Sequence, residues 1–181
     1  MNTNRTKRTV VSALMLALGI LLPFFTAGIP HFGRSLLPMH IPALLCGFIC
    51  GWEHGLAVGF ICPLLRYLLV GAPAIFPDAV VMAFELATYG FCAGVLYGAL
   101  PKKLPYAYVS LLFSMLCGRL VWGLVKYRLA VMTSLSFGIE AFYAGAFANA
   151  LPGIVLQIVL LPPLVALLNR FKLIYNYSSK K

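Results

Sequence analysis

The sequence predicts an all-helical integral membrane protein with six transmembrane helices and both termini on one side. Three observations carry that expectation. Six apolar stretches, divided by breaks rich in Gly, Pro or Lys, account for most of the chain. Only 10% of the residues are charged, against about 25% in soluble domains. The Lys and Arg residues gather at alternate breaks, as the positive-inside rule requires of an even number of crossings.

A chain of 181 residues that is 62% hydrophobic cannot cover a water-exposed sphere with polar surface, and its length fits one domain, 1–181. The formal net charge is +10, from 14 Lys+Arg against 4 Asp+Glu. A nucleic-acid-binding face would concentrate such charge on one soluble surface. Here it sits mainly at chain ends and short loops, so membrane orientation explains it and no nucleic-acid partner is expected. The five cysteines all fall inside apolar segments. They lack structural-zinc spacing, so they are read as small buried hydrophobes with no metal site.

The first span is 9–27, after a basic start (Arg5, Lys7, Arg8). It is longer than a signal-peptide core and more spans follow, so it is taken as a transmembrane helix. Residues 28–38 form a Gly/Pro-marked loop. The spans at 39–51 and 55–71 are short against the roughly 20 residues a full crossing needs. They are expected either to tilt or to end inside protein. Between them Trp52-Glu53-His54-Gly55 reads as a polar turn. Gly47, Gly51, Gly55 and Gly59 recur every four residues, which lets helix backbones approach closely. The fourth span is 79–99, the fifth 106–126 and the sixth 143–169. The connection from 127 to 142 carries an amphipathic piece suited to the interface.

With six spans, the N-terminus, the Lys102-Lys103 turn and the tail (Arg170, Lys172, Lys180, Lys181) share one basic face, which is expected to be cytoplasmic. The opposite loops carry Arg34, Asp78, Arg128 and Glu140.

An ionisable residue within a span is costly and marks a functional site by default. Arg66, Glu85, Arg119 and Lys126 are the candidates, all placed in the outer half of the membrane. Arg119 and Lys126 are seven apart and share a helix face with Trp122 between them. Positive charge exceeds negative in the set, which suggests a pocket near the outer face for a small anionic ligand. An arginine fork suits a carboxylate or phosphate. The competing reading is a structural ion pair of Glu85 with Arg66 or Arg119, plus a snorkelling Lys126. Asn149 and Gln157 fall on one face of the sixth span, Asn149 being the more outward and the preferred ligand contact. His40, between Pro38 and Pro42, is a further candidate. Tyr67, Phe76, Tyr89 and Tyr143 can stack on a ring or anchor at the interface.

Enzymatic readings find no support. The chain holds no H-E-x-x-H, no G-x-S-x-G and no phosphate loop, and four acidic residues leave little for acid–base chemistry.

The segment from Leu37 to Arg66, the six spans and the Ala-x-x-x-Ala patch of Ala13 and Ala17 resemble the substrate-binding S components of energy-coupling factor (ECF) vitamin transporters, in the riboflavin/pantothenate/folate-like branch. The resemblance implies a non-catalytic subunit of the bacterial cytoplasmic membrane that captures a water-soluble vitamin from outside. It implies docking, through Ala13 and Ala17, on a coupling transmembrane subunit with two ATPases. It implies that ATP is used by those partners and that this chain binds no cofactor itself. Loops after the first, third and fifth spans would gate the pocket. The chain begins Met1-Asn2-Thr3, without the histidine of the cobalt and nickel members. The vitamin is left open: the cationic candidates favour pantothenate or another acid, with riboflavin, a pyridoxine-type compound, folate and a queuosine precursor as alternatives. A small non-catalytic structural or assembly protein of the membrane is the other function class.

Overall fold

The chain runs as α1 (Thr3–Ala27), α2 (His40–Cys50), α3 (Trp52–Val70), a single wide turn (Ile75–Ala79), α4 (Val80–Ala99), α5 (Leu104–Met132), the short α6 (Ile139–Tyr143) and α7 (Leu151–Arg170). These elements come from a computed structural model that describes residues 3–27, 35–133, 138–145 and 149–175. Arg34, Lys180 and Lys181, and the middle of the 127–142 connection, lie outside the described residues.

Among the described residues, five helices are long and apolar enough to cross a membrane, and α2 is a sixth, shorter apolar helix. The helix faces are arranged for lipid rather than water. On α5, Leu112, Leu116, Leu120 and Leu124 point outward, while Ser110, Ser114, Gly118, Arg119 and Trp122 are buried. In water that would be an inverted helix. In hydrocarbon the apolar face needs no cover, and the small and polar residues are the ones that pack or pair inside.

The short α2 resolves the question its length raises. At 1.5 Å per residue it reaches only about 17 Å, far less than the roughly 30 Å of hydrocarbon. Ten of its eleven residues are buried. It stops inside the protein, packed against α1, α3, α4 and α7, so its open backbone end meets protein and not lipid.

The turn after α2 is tighter than the polar Trp52–Gly55 stretch suggests. Gly51 alone reverses the chain, with φ of 92° that favours glycine, and Trp52 already begins α3. The four-residue glycine spacing then acts between helices. A Cβ at Gly55 would sit 2.5 Å from the Gly90 carbonyl oxygen and 2.7 Å from the Gly47 Cα. So α2, α3 and α4 meet backbone to backbone, with Gly90 from α4 completing the contact.

Other boundaries differ from expectation. α1 starts earlier than residue 9 and α5 runs past 126 to Met132. The sixth span begins at Leu151 rather than 143, with Pro152 in its first turn, a position where its missing N–H costs nothing. Residues 139–143 form the separate α6.

Long-range bonds fix which ends come together. Arg8 Nε, near the start of α1, donates to the Cys50 carbonyl at 2.7 Å. The Tyr175 amide, after α7, donates to the Ile49 carbonyl at 2.7 Å. Asn169 Nδ2 donates to the Lys102 carbonyl, in the α4–α5 turn, at 3.0 Å. The described start and end of the chain therefore lie at one end of the bundle, with the Lys102-Lys103 turn. The opposite end holds Arg66 against Ala72 and the Gly153 amide bonded to the Ser35 carbonyl at 2.9 Å.

Candidate functional site

Three buried ionisable side chains converge from three helices. Glu85 of α4 stands between Arg119 of α5 and His40, the first residue of α2. Arg119 Nη1 lies 2.9 Å from Glu85 Oε1, and His40 Nε2 lies 3.3 Å from the same oxygen. His40 is 1% exposed, Glu85 2% and Arg119 5%. The Tyr89 ring, one turn below Glu85, packs edge-on to the His40 ring at 5.2 Å.

Local sequence explains the convergence. Glycines at 47, 55 and 90 draw α2 and α4 together, which brings the start of α2 to Glu85. Gly118, beside Arg119, is where the Tyr89 ring fits: a Cβ there would come within 2.7 Å of it. The small residue leaves space that an aromatic fills, and Arg119 is aimed at Glu85 next to it.

The centre sits deep. With a rise of 1.5 Å per residue, Glu85, Arg119 and Gln157 each stand roughly 20 Å above the basic ends of their helices. They stand at a similar height, on the side of the bundle away from the described chain ends. Gln157 is fully buried on α7, and neither of its amide atoms has a hydrogen-bond partner among the described residues. The same is true of His40 Nδ1 and of Arg119 Nε and Nη2. Buried polar groups are nearly always satisfied, so each such atom calls for an explanation.

Further from the described chain ends, one turn along α5 from Arg119, Trp122 is buried against Val81, Val125, Leu129 and Phe142. Lys126 Nζ stands over the Trp122 ring, 4.9 Å from its centroid. Phe142 of α6 lies 6.2 Å from Trp122 and packs onto Gly123. The short α6 thus covers α5 above the ionic centre.

The sequence candidates divide. Glu85, Arg119 and His40 are brought together, and Trp122 and Lys126 stand above them on one face of α5. Of the two arginines weighed as the partner of Glu85, the structure selects Arg119. Arg66 is engaged elsewhere: its Nη1 donates to the Ala72 carbonyl at 2.6 Å, and its guanidinium lies 5.5 Å from the Phe24 ring centroid. It clasps the end of α3 to the turn that follows. Asn149 precedes α7, is exposed, and bonds through its backbone amide to Ala144 at 2.9 Å. Its companion on the expected face, Gln157, is the buried one. Ala13 and Ala17 are both exposed on α1.

Sequence reasoning misses Arg8. By its place in the chain it belongs to the basic N-terminus, yet it is buried, bonded to Cys50 and 3.8 Å from Glu53. A signal exists: Arg8, Ser12, Met15 and Gly19 recur at helical spacing and form the inward face of α1. The cysteines behave as core residues, Cys46, Cys50 and Cys62 being buried and free.

Compared with known proteins, residues 7–165 match the family model described as the ECF transporter substrate-specific component. No curated protein and no solved structure matches the chain. Members of that family are multi-pass membrane proteins that serve as substrate-binding subunits of transporters, not enzymes. The match spans nearly all of the helical bundle described above, ionic centre included, and the chain belongs to the ECF transporter substrate-specific component family.

Proposed function

We propose that this chain captures a small water-soluble vitamin or vitamin precursor from outside the cell, at the layer formed by His40, Glu85, Arg119, Gln157 and Trp122. The observation that carries the reading is the set of buried polar atoms of Arg119 and Gln157 at that depth that have no hydrogen-bond partner among the described residues, in a chain of this family. A purely structural ion pair has no need of an arginine with two further nitrogens left over among the described residues, nor of a buried amide with neither atom paired there. The excess of Lys and Arg at the end that gathers the chain termini supports placing that end in the cytoplasm. The ionic layer then faces outward, under α6.

The substrate passes on with help from partners. A coupling membrane subunit and two ATPases supply the work, and this chain binds no ATP. The exposed Ala13 and Ala17 offer a flat, small-residue face on α1 for the coupling subunit.

Trp122 gives a direct test. The chain has two tryptophans, so Trp52→Phe leaves Trp122 as the sole reporter. Titration of the detergent-solubilised variant with a panel of water-soluble vitamins and precursors is expected to change its emission saturably for one compound. It should also raise the unfolding temperature with that compound. If no member changes either signal, the competing reading of a structural or assembly protein gains.

A further inference from the structure

We infer that the substrate presents a carboxylate to Arg119, gripped along the Nε–Nη2 edge of the guanidinium. The inference rests on the functional reading above and narrows it to a chemical class.

A guanidinium offers its N–H groups in a rigid plane. Nε–H and the nearer Nη2–H run parallel along one edge. Glu85 Oε1 forms an ion pair with Nη1, on the other side of the group, at 2.9 Å. The Nε and Nη2 atoms of the remaining edge are buried and have no hydrogen-bond partner among the described residues. Two parallel donors in a dry site match two acceptor oxygens on one planar carbon, the bidentate geometry of an arginine–carboxylate pair.

Charge favours one negative charge on the guest. Arg119 sets one cation against the Glu85 anion, and His40 Nε2 stands 3.3 Å from the same carboxylate. A bound carboxylate adds a single negative charge to this set. A phosphate dianion adds two, and an uncompensated charge in a buried site is costly. A neutral acceptor would forgo the roughly twofold stronger bonds that charge gives to the fork. Gln157, at a similar depth on α7 and with neither amide atom partnered among the described residues, offers a donor and an acceptor to the uncharged part of the same molecule.

The test uses the purified full-length chain and matched pairs of probes that differ only at the acid. These are pantothenate with panthenol, nicotinate with nicotinamide, and biotin with biotin amide. Riboflavin and pyridoxine serve as uncharged probes. Binding is read by thermal stabilisation and Trp122 emission. The expected result is that one acid binds and its uncharged partner binds about 10- to 100-fold more weakly, the loss typical of a charged hydrogen bond. Arg119→Lys keeps the charge but cannot present two parallel donors, and is expected to weaken the acid by a similar factor. Arg66→Gln should leave it unchanged. Because Arg119→Gln alone strands Glu85, the pair Glu85→Gln/Arg119→Gln is the charge-free variant, and it should lose the preference for acid over its uncharged partner.

Saturable binding of riboflavin or pyridoxine, or equal binding of an acid and its uncharged partner, overturns the carboxylate assignment and leaves the substrate-binding function standing. Acid binding untouched by Arg119→Lys but abolished by Arg66→Gln overturns both the grip and the site. Absence of binding by every probe counts against both the carboxylate and the functional reading.

Discussion

Glu85 is the residue whose neighbours decide the behaviour of the rest. Its carboxylate faces Arg119 and His40 in the buried interior, so either charge left alone would be uncompensated. Glu85→Ala or Arg119→Ala is expected to cost about 3–5 kcal/mol, because each strands its partner. Glu85→Gln/Arg119→Gln is expected to cost much less, since amides carry no net charge. Unfolding of the three variants in graded SDS would separate them, and equal losses in all three would mean that the pair contributes shape and not charge. At the opposite end, Lys102 shows the effect of burial on a single cation. Its ammonium donates to the Tyr97 carbonyl and stands 4.3 Å from the Tyr97 ring centroid. Burial lowers its pKa from 10.5 to about 8. A lysine with a lowered folded-state pKa is charged in both states below that value, and the unfolded chain holds more protons from there up to 10.5. Stability from this group therefore rises with pH across that window. Lys102→Met is expected to flatten the rise, read as the difference between the two proteins' unfolding curves across the same window.

Helices α2, α3 and α4 depend on glycine for their spacing, and the ionic centre depends on that spacing. Gly90→Val would force α4 away from α3, where the Gly55 backbone already touches it. The overpacking is expected to cost at least about 1–3 kcal/mol. It should also separate His40 from Glu85, so ligand binding should fall together with melting temperature. Retained binding would show that the two helices can part without moving the centre. These contacts are legible in the sequence, since a four-residue glycine repeat has few other uses in an apolar helix. Arg119 and Glu85 are legible for a related reason: a charge inside a span is conspicuous. What pairs with what is not legible. Arg66 and Arg119 look alike as letters, and only the path of the chain after α3 sends Arg66 back to Ala72. Asn149 and Gln157 share a helical face only if the helix includes both. Pro152 starts α7 after Asn149, so the more deeply placed Gln157 joins the layer instead. Arg8 hides among its neighbours: membrane orientation is a sufficient reason for every basic residue near the N-terminus, so nothing in the letters sets the buried one apart.

At the scale of the whole molecule, α1 has two faces with different duties. The inward face ties it to the α2–α3 elbow through Arg8, whose Nε bonds Cys50 and whose Nη2 approaches Glu53. The outward face shows Ala13 and Ala17 to the surroundings. A small-residue face in a membrane gains little from lipid and much from another helix, because it lets backbones come close and increases van der Waals contact. That separation makes binding and coupling independently testable. Ala13→Leu/Ala17→Leu adds bulk only on the outer face and leaves Arg8, α2 and the ionic layer in place. Substrate affinity of the purified variant is expected to stay within about twofold of wild type, a free-energy difference too small to involve a lost contact. Uptake of labelled substrate by cells making the complete importer is expected to fall to background, and co-purification of the coupling subunit to fall with it. Arg8→Ala should behave differently: it frees the elbow from α1, and melting temperature should drop even where uptake survives. If the Ala13→Leu/Ala17→Leu variant keeps full uptake, the partner reaches this protein over another face. The exposed leucines of α5, from Leu112 to Leu124, are then the next surface to carry the same substitution test.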